Sequence, residues 1–511
     1  MTAVLFDAAS PSAHSHLLSL SPRFEPTLDD VVRAAGPLRI EVEDAVRDAV
    51  NSCHEFALRR ISDGGQVYGA TTGFGPLVGY SGREDAREQC RNVLAHLGAG
   101  QGPDLDPDVV RGSMLVRLCS LCQARSGVSL RVVDALVAAL RTTFTPAVPQ
   151  WGSLGASGDL IPLSYVARAL QGEGAAYLDG VRMPAGEALR LVGLAPLELD
   201  GRDALALVNG TSLTAATAAL ALASLRRSSR VALVLTALMA NQLGCTAAFA
   251  HEELLAVYRH PGAAAAGRVL RDLLGAGGSG EGRPLQEPYS IRCVPQLVGA
   301  AEDALRYVEG VVGTDLRSVS DNPLFFPEQD LVAHGGNFFG QPVAFAADLM
   351  GIVAAQLGNL AERQLDLLID PRRNGDLPPM LASDPGRQHG MQGVQVAATA
   401  MLAGMRRAAV PASMQSLPTN WHNQDVVPFG TQAALTALDQ ARMLRLIHGA
   451  LAVALRQAAH LAALRGTPAP SSPTLDALCG LIAPVDEDRP LDEDIRRAAA
   501  LLDSGQEASM T

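Results

Sequence analysis

Aromatic residues, paired cysteines and excess positive charge are all scarce in this chain of 511 residues. Only 4% of the residues are aromatic whereas 48% are hydrophobic, so the core is expected to be aliphatic, as in helical proteins. The net charge of -12 disfavours nucleic acid as a partner. The length allows about two or three domains.

The seven cysteines form no recognisable disulfide or metal pattern. Cys119 and Cys122 are the only close pair, and neither a second pair nor a histidine pair completes a zinc site. We therefore predict buried thiols and no metal. The odd count indicates a reducing compartment. Residues 1–21 lack the basic start of a secretory signal, so the sequence predicts a cytoplasmic protein.

Long hydrophobic runs are interrupted by small polar residues. The longest, Ala204–Leu225, contains Asn209, Gly210, Thr211 and Ser212. Such a run is typical of a helix buried on all sides, and we predict no membrane partner.

Helical periodicity dominates what is present. Strand signals are confined to 177–183 and 324–333. Several helical patterns exceed the usual globular length, which predicts a mainly α fold with a bundle of long helices. The predicted helices cover about 40–60, 83–100, 107–124, 129–143, 159–172, 185–194, 203–223, 227–257, 264–275, 294–312, 340–368, 391–408 and 430–465.

The most informative segment is Gly-Ser-Leu-Gly-Ala-Ser-Gly-Asp-Leu at 152–160. In Ala156-Ser157-Gly158, the Gly158 nitrogen can attack the Ala156 carbonyl carbon, because glycine has no Cβ to obstruct the approach. Loss of water, including the Ser157 hydroxyl, yields the electrophile 4-methylidene-imidazole-5-one (MIO). Asp159 opens an apolar run that predicts a helix, whose N-terminus favours developing negative charge.

This nonapeptide resembles the signature of the aromatic amino acid ammonia-lyase and aminomutase family, and the resemblance extends over about residues 60–460. It implies the mainly α fold of the ammonia-lyase/aspartase-like superfamily and no external cofactor. It also implies a homotetramer with active sites shared between subunits. We predict an N-terminal domain (1–202) with the tripeptide, a central long-helix domain (203–466) and a peripheral C-terminal segment (467–511).

Further motifs carry the resemblance. Tyr68-Gly-Ala-Thr-Thr-Gly-Phe-Gly75 is similar to the family's catalytic-tyrosine loop, which makes Tyr68 the base and Gly75 a substrate contact in a closing lid. Asn209-Gly-Thr-Ser resembles the motif whose Asn contacts the MIO oxygen and the substrate amine. Gly335-Gly-Asn-Phe338 resembles the motif whose Phe packs near the MIO.

The substrate carboxylate also finds candidates by resemblance. Gln286-Glu-Pro-Tyr289-Ser-Ile-Arg292 matches a family motif in which Arg292 is the carboxylate clamp. Tyr289 then lies beside the MIO and Gln286 near the amine. Asn322, in Ser-Asp-Asn-Pro, assists the carboxylate.

Specificity is predicted from two motifs, His96-Leu97 and Asn420-Trp-His-Asn-Gln424-Asp425. Tyrosine-using members of the family carry His-Leu where this chain has His96-Leu97, and an imidazole can pair with a phenol hydroxyl. Histidine lyases carry Glu where this chain has Gln424, and plant-type phenylalanine lyases carry Glu where it has Asn420. Both motifs favour tyrosine as the substrate.

The sequence therefore predicts a carbon–nitrogen lyase that converts L-tyrosine to trans-4-coumarate and ammonia. A tyrosine 2,3-aminomutase would use the same residues and stays open, as do phenylalanine, histidine and dihydroxyphenylalanine as substrates. An inactive helical binding protein would be expected to lack the tripeptide, Tyr68 or Arg292, and all three are present.

Overall fold

A computed structural model of the chain describes residues 17–467 and 470–504. These residues form eighteen α-helices and nine short β-strands, which confirms the predicted mainly α fold. The first nine helices are α1 (Leu28–Arg33), α2 (Asp44–Ser62), α3 (Ala86–His96), α4 (Pro107–Cys122), α5 (Leu130–Leu140), α6 (Leu160–Leu170), α7 (Ala185–Leu191), α8 (Asp203–Val208) and α9 (Ser212–Gln242). The others are α10 (Glu252–Tyr258), α11 (Pro261–Leu274), α12 (Tyr289–Arg292), α13 (Val294–Leu316), α14 (Gln341–Ile369), α15 (Gln392–Ala408), α16 (Gly430–Leu464), α17 (Pro473–Leu481) and α18 (Asp492–Asp503).

The chain divides into two compact units, each built from three separate segments. The first unit comprises Met1–Ala223, Gly310–Ala347 and Pro411–Leu435; the second comprises Ser224–Glu309, Asp348–Val410 and Thr436–Thr511. The first unit therefore holds the described part of the predicted segment 1–202 together with parts of the predicted segment 203–466.

The long helices follow the sequence periodicity closely. Helices α14 and α16 begin and end within one residue of the predicted 340–368 and 430–465. Both are long and apolar enough to cross a membrane, but 67% and 83% of their most apolar windows are buried inside the protein. This burial is typical of core helices, whose apolar residues face the protein on all sides.

Helix α9 is continuous where the pattern predicts a break between 223 and 227. The apolar pattern is interrupted there by the charged residues Arg226 and Arg227. Arg226 donates to Glu309 at 2.5 Å and Arg227 donates to Asp503 at 2.9 Å, so both charges are paired. The predicted helix 227–257 is wrong, because α9 ends at Gln242 and Gly244 has a φ of 73°. A positive φ ends a helix at little cost when the residue is glycine.

A second correction concerns the predicted helix 203–223, which is broken at 209–211. Asn209 ends α8 in an extended conformation and Gly210 has a φ of 151°, so Asn209 is a helix-terminal residue, not one inside a helix. The Thr211 amide donates to the Ser320 hydroxyl at 3.1 Å, and the Thr211 hydroxyl donates to Asp315 at 3.1 Å. These tertiary hydrogen bonds replace the helical bonds that the break removes.

The strands belong to the first unit and are short. The predicted strand signals are confirmed as two antiparallel hairpins, one of which turns at Asp179-Gly180 with positive φ at both residues. The sheets pair β1 (Leu17–Leu20) with β2 (Arg39–Val42), β3 (Gln101–Asp104) with β5 (Pro149–Trp151), β4 (Thr145–Pro146) with β6 (Ala175–Leu178), β6 with β7 (Val181–Pro184), and β8 (Leu324–Phe326) with β9 (Leu331–Ala333).

Two terminal predictions lie partly outside the described residues. The predicted absence of a secretory signal concerns residues 1–21, of which the structure describes 17–21. In the predicted C-terminal segment, the described residues form α17 and α18, and α18 buries Ala498, Ala499 and Leu502.

Candidate active site

The Ala-Ser-Gly tripeptide lies in a tight turn before the N-terminus of α6, as the sequence predicts. Gly158 has a φ of 69°, and a Cβ on it would lie 2.4 Å from the Gly210 carbonyl oxygen. The Asp159 amide donates to that oxygen at 2.7 Å. Only glycine fits at 158, so the residue whose nitrogen must act in ring closure has no side chain to obstruct it. The local geometry therefore fits MIO formation.

The segment is anchored by the buried carboxyl group of Asp159. The hydroxyls of Ser153, Thr214 and Thr431 lie 2.8 Å from Asp159 Oδ1, and the Thr214 amide donates to Oδ2 at 2.9 Å. Burial raises the pKa of Asp159, and these hydrogen bonds act in the opposite direction. The network joins residues distant in sequence and fixes the position of Asp159, which directly follows the tripeptide.

The Ser157 hydroxyl contacts a second loop. Gln424 Nε2 donates to Ser157 Oγ at 2.5 Å, and Thr419 Oγ1 donates to Gln424 Oε1 at 2.6 Å. Between them, Asn420, Trp421 and His422 all have φ between 52° and 63°. Left-handed backbone costs about 1–2 kcal/mol per non-glycine residue, so the surrounding structure must hold this loop.

A cavity of about 900 Å³ opens beside the tripeptide, within the size range of small-molecule sites. All of its lining residues belong to the first unit. The predicted site residues that line it are Tyr68, Gly75, His96, Leu97, Ala156, Ser157, Gly158, Asn209, Asn420 and Gln424.

Tyr68 is held by its own loop. Its hydroxyl oxygen accepts a hydrogen bond from the Gly75 amide at 2.8 Å, and its ring meets the Phe74 ring edge-on with centroids 5.9 Å apart. Burial raises the pKa of Tyr68, and the Gly75 amide partly opposes that shift. The phenol is therefore protonated at neutral pH.

His96 ends α3 and faces the cavity. Its Nδ1 lies 3.1 Å from the Asn92 carbonyl oxygen, which can only accept, so Nδ1 carries the proton. In the neutral imidazole, Nε2 is then an acceptor. The Phe74 ring lies 5.6 Å from the imidazole, centroid to centroid, so Phe74 connects Tyr68 with His96.

Asn322 does not line the cavity but lies in a buried turn of the same unit. Its Oδ1 accepts from the Gly335 amide at 2.8 Å. The preceding Asp321 is buried between Arg202 and Arg117, at 2.9 and 3.4 Å. These two buried ion pairs fix the backbone of the turn that carries Asn322.

Asn209 has a buried Oδ1 with no hydrogen-bond partner in the described part of the chain. An unsatisfied buried amide costs about 1–3 kcal/mol, so a ligand that donates to it is favoured.

Phe338 is half-buried and does not line the cavity. Two residues later, the Gly340 amide donates to the Gly155 carbonyl at 3.2 Å, which ties the Phe338 loop to the tripeptide segment.

Gln286, Tyr289 and Arg292 lie in the second unit and are not among the residues that line the cavity. Gln286 is exposed, and Tyr289 is 71% exposed. The Arg292 guanidinium lies 4.7 Å above the Tyr289 ring, and its Nε is buried without a partner in the described chain. Arg292 thus has hydrogen-bonding capacity left for an anion.

Several residues that shape the site were not predicted. Phe74 lies inside the tyrosine-loop motif, and an aromatic side chain close to Tyr68 in sequence was the signal that could have identified it as a site residue. Ser153 stood inside the segment 152–160 without a predicted role. Thr214, Thr419 and Thr431 gave no signal, because a hydroxyl side chain becomes informative only when folding brings its partner close.

Comparison with known proteins identifies the family of this chain. The sequence profile described as aromatic amino acid lyase matches residues 27–482. The chain is 40% identical to a tyrosine ammonia-lyase from Cereibacter sphaeroides, covering 92% of this chain and 94% of that one. It is 36% identical to a histidine ammonia-lyase from Symbiobacterium thermophilum, with 94% and 96% covered. Its fold matches a tyrosine aminomutase from Streptomyces globisporus with a TM-score of 0.88 and 31% identity, covering 96% and 97%. The match over residues 27–482 and the 40% identity show that the chain belongs to the aromatic amino acid lyase family and is a carbon–nitrogen lyase.

Proposed function

We propose that the protein is a tyrosine-preferring ammonia-lyase that releases trans-4-coumarate and ammonia without an external cofactor. The observation that carries the proposal is the placement of His96 and Ser157 along one cavity. A tyrosine can then extend from the reacting tripeptide to a hydrogen-bond acceptor for its phenol.

MIO is proposed to form from Ala156-Ser157-Gly158 and to supply an electrophile that makes the substrate amine a better leaving group. The absence of room for a Cβ at Gly158 supports this assignment. Asn209 is proposed to use its unpaired Oδ1 toward the substrate amine, and Phe338 to pack against the tripeptide.

Tyr68 is proposed to remove the β-proton of the substrate. The Gly75 amide donates to the same oxygen and stabilises its negative charge when the proton leaves. Because the pKa of Tyr68 is raised, the active deprotonated form is scarce at neutral pH. Closure of the glycine-rich loop would exclude water from the reaction.

His96 is proposed to select tyrosine. The Asn92 carbonyl fixes the imidazole with Nε2 as the acceptor, and a phenol hydroxyl can donate to it. Phenylalanine would leave that acceptor unpaired, which penalises the wrong substrate. Leu97, Asn420 and Gln424 are proposed to complete the wall around the ring and the amino acid group.

The substrate carboxylate is proposed to bind Arg292, assisted by Asn322, with Gln286 near the amine and Tyr289 beside the MIO. We propose that the protein is a homotetramer in which neighbouring copies supply some of these groups. The exposure of Tyr289 and the unpaired Nε of Arg292 support this assignment.

A tyrosine 2,3-aminomutase is the second candidate, favoured by the fold match to such an enzyme. The test is product analysis after separate incubation with L-tyrosine, L-phenylalanine, L-histidine and L-dihydroxyphenylalanine, without added metal. Coumarate as the main product from tyrosine is expected. β-Tyrosine would make the protein an aminomutase, and urocanate from histidine would overturn the assignment of His96 and Gln424.

A further inference from the structure

The segment Gln286–Arg292 presents three proposed active-site groups, Gln286, Tyr289 and Arg292, from one short piece of chain. Gln286 and Tyr289 are exposed, whereas Glu287 between them is buried. The segment therefore has an outer side that carries candidate functional groups and an inner side that anchors it.

The anchor is an ion pair between Glu287 and Arg283, four residues earlier. Arg283 Nε donates to Glu287 Oε1 at 2.9 Å, and a terminal guanidinium nitrogen donates to Oε2 at 2.7 Å. Each side chain is only 9% exposed. A bidentate pair fixes both distance and orientation, which a lysine could not reproduce.

Neighbouring groups of the second unit hold this pair in place. The other terminal nitrogen of Arg283 donates to the Arg373 carbonyl at 2.9 Å. Cys245 packs against the pair, and burial together with Glu287 raises the pKa of its thiol to about 12. The thiol is therefore neutral and adds no competing negative charge.

The other end of the segment has its own hydrogen bond. Gln364 Nε2 donates to the Ser290 carbonyl at 2.9 Å and lies 2.7 Å from the Thr236 hydroxyl. Gln364 holds the backbone at Ser290, and the ion pair holds it at Glu287. Loss of the ion pair would leave Gln286 free to move relative to Arg292.

We propose that Arg283 and Glu287 are positioning residues that hold Gln286, Tyr289 and Arg292 in the geometry required for substrate binding. The inference rests on the proposed function of those three residues. The pair acts through the segment and does not touch the substrate.

Substitutions at the pair must separate positioning from stability. Removing one partner leaves the other charge buried and unpaired, which destabilises the folded protein whether or not the pair positions the segment. The double variant Arg283→Met/Glu287→Leu removes both charges and keeps apolar volume, so we expect it to fold. Arg283→Lys keeps the charge and loses the bidentate geometry. Arg496→Ala, which breaks the exposed pair with Asp492, is the matched control.

The measurements are hydrogen–deuterium exchange over residues 284–293, the absorbance of the cyclised tripeptide, and steady-state kinetics with tyrosine. In the double variant we expect faster exchange in that peptide, unchanged tripeptide absorbance and a kcat/KM about 100-fold lower. Most of the loss should appear as a higher KM, because a displaced Arg292 weakens binding of the carboxylate. Arg283→Lys should lie between the double variant and the wild type, and Arg496→Ala should match the wild type.

A folded double variant with wild-type kinetics, or with slow exchange at 284–293, would overturn the proposal. A wild-type protein that releases no product from tyrosine would instead overturn the proposed function. The exchange measurement would still decide whether the ion pair orders the segment.

Discussion

Replacing His96 with phenylalanine should reverse the substrate preference. The only nitrogen of His96 left to pair with a substrate is Nε2, because Nδ1 donates to the Asn92 carbonyl. His96 is exposed in the structure. Once bound tyrosine is enclosed in the cavity, its phenol loses its acceptor in the His96→Phe variant, at a cost of about 1–3 kcal/mol. That cost corresponds to a decrease of about 5- to 150-fold in kcat/KM for tyrosine.

Phenylalanine should gain from the same change. The wild-type imidazole presents an unpaired acceptor to an apolar ring, and the variant removes it. The new ring can pack against Phe74, whose ring already lies 5.6 Å from that of His96. The ratio of kcat/KM for tyrosine to that for phenylalanine should therefore fall by at least about tenfold.

The assay is the initial rate of coumarate and cinnamate formation, followed by absorbance, at matched protein concentration. His460→Phe, on α16 outside the cavity, is the control and should leave the ratio unchanged. An unchanged ratio in a folded His96→Phe protein with a cyclised tripeptide would refute the role of His96.

Three other predictions concern the tripeptide, the base and a buried carboxyl group. Ser157→Ala should prevent MIO formation and abolish deamination while preserving the far-UV circular dichroism; a variant that keeps a substantial rate would contradict the MIO proposal. Because burial raises the pKa of Tyr68, kcat/KM should rise with pH into the alkaline range, and Tyr68→Phe should lose about 10²–10⁴-fold. A profile that is flat above neutral pH would argue against Tyr68 as the base. Burial raises the pKa of Asp315 from 3.8 to about 6, so the folded state binds this proton more tightly than the unfolded state does. The resulting stabilisation is complete below pH 3.8 and is lost as pH rises through 6. Asp315→Asn should therefore raise the free energy of unfolding by up to about 3 kcal/mol at pH 8 and change it little at pH 4, as measured by denaturant unfolding; equal effects at both pH values would contradict this.

Local patterns were sufficient for much of the fold. The apolar periodicity of 340–368 predicted α14 almost to the residue, because apolar side chains recur about every 3.6 residues along a helix that is buried over its length. The same reasoning was wrong near Asn209 and near Arg226. At 209–211, tertiary hydrogen bonds stabilise a break in a helix that propensity favours. At Arg226, an ion pair with Glu309 neutralises the charge that was expected to end the helix, so the helix continues.

The sequence by itself determined the chemistry that three adjacent residues can perform, since Ala156-Ser157-Gly158 carries every atom of the proposed ring. The tertiary structure alone decided what surrounds that ring. Gln424 reaches Ser157 from 267 residues away, and Gly210 closes against Gly158 across the break between α8 and α9. Such contacts follow from the path of the whole chain, and burial and packing of residues distant in sequence decide that path.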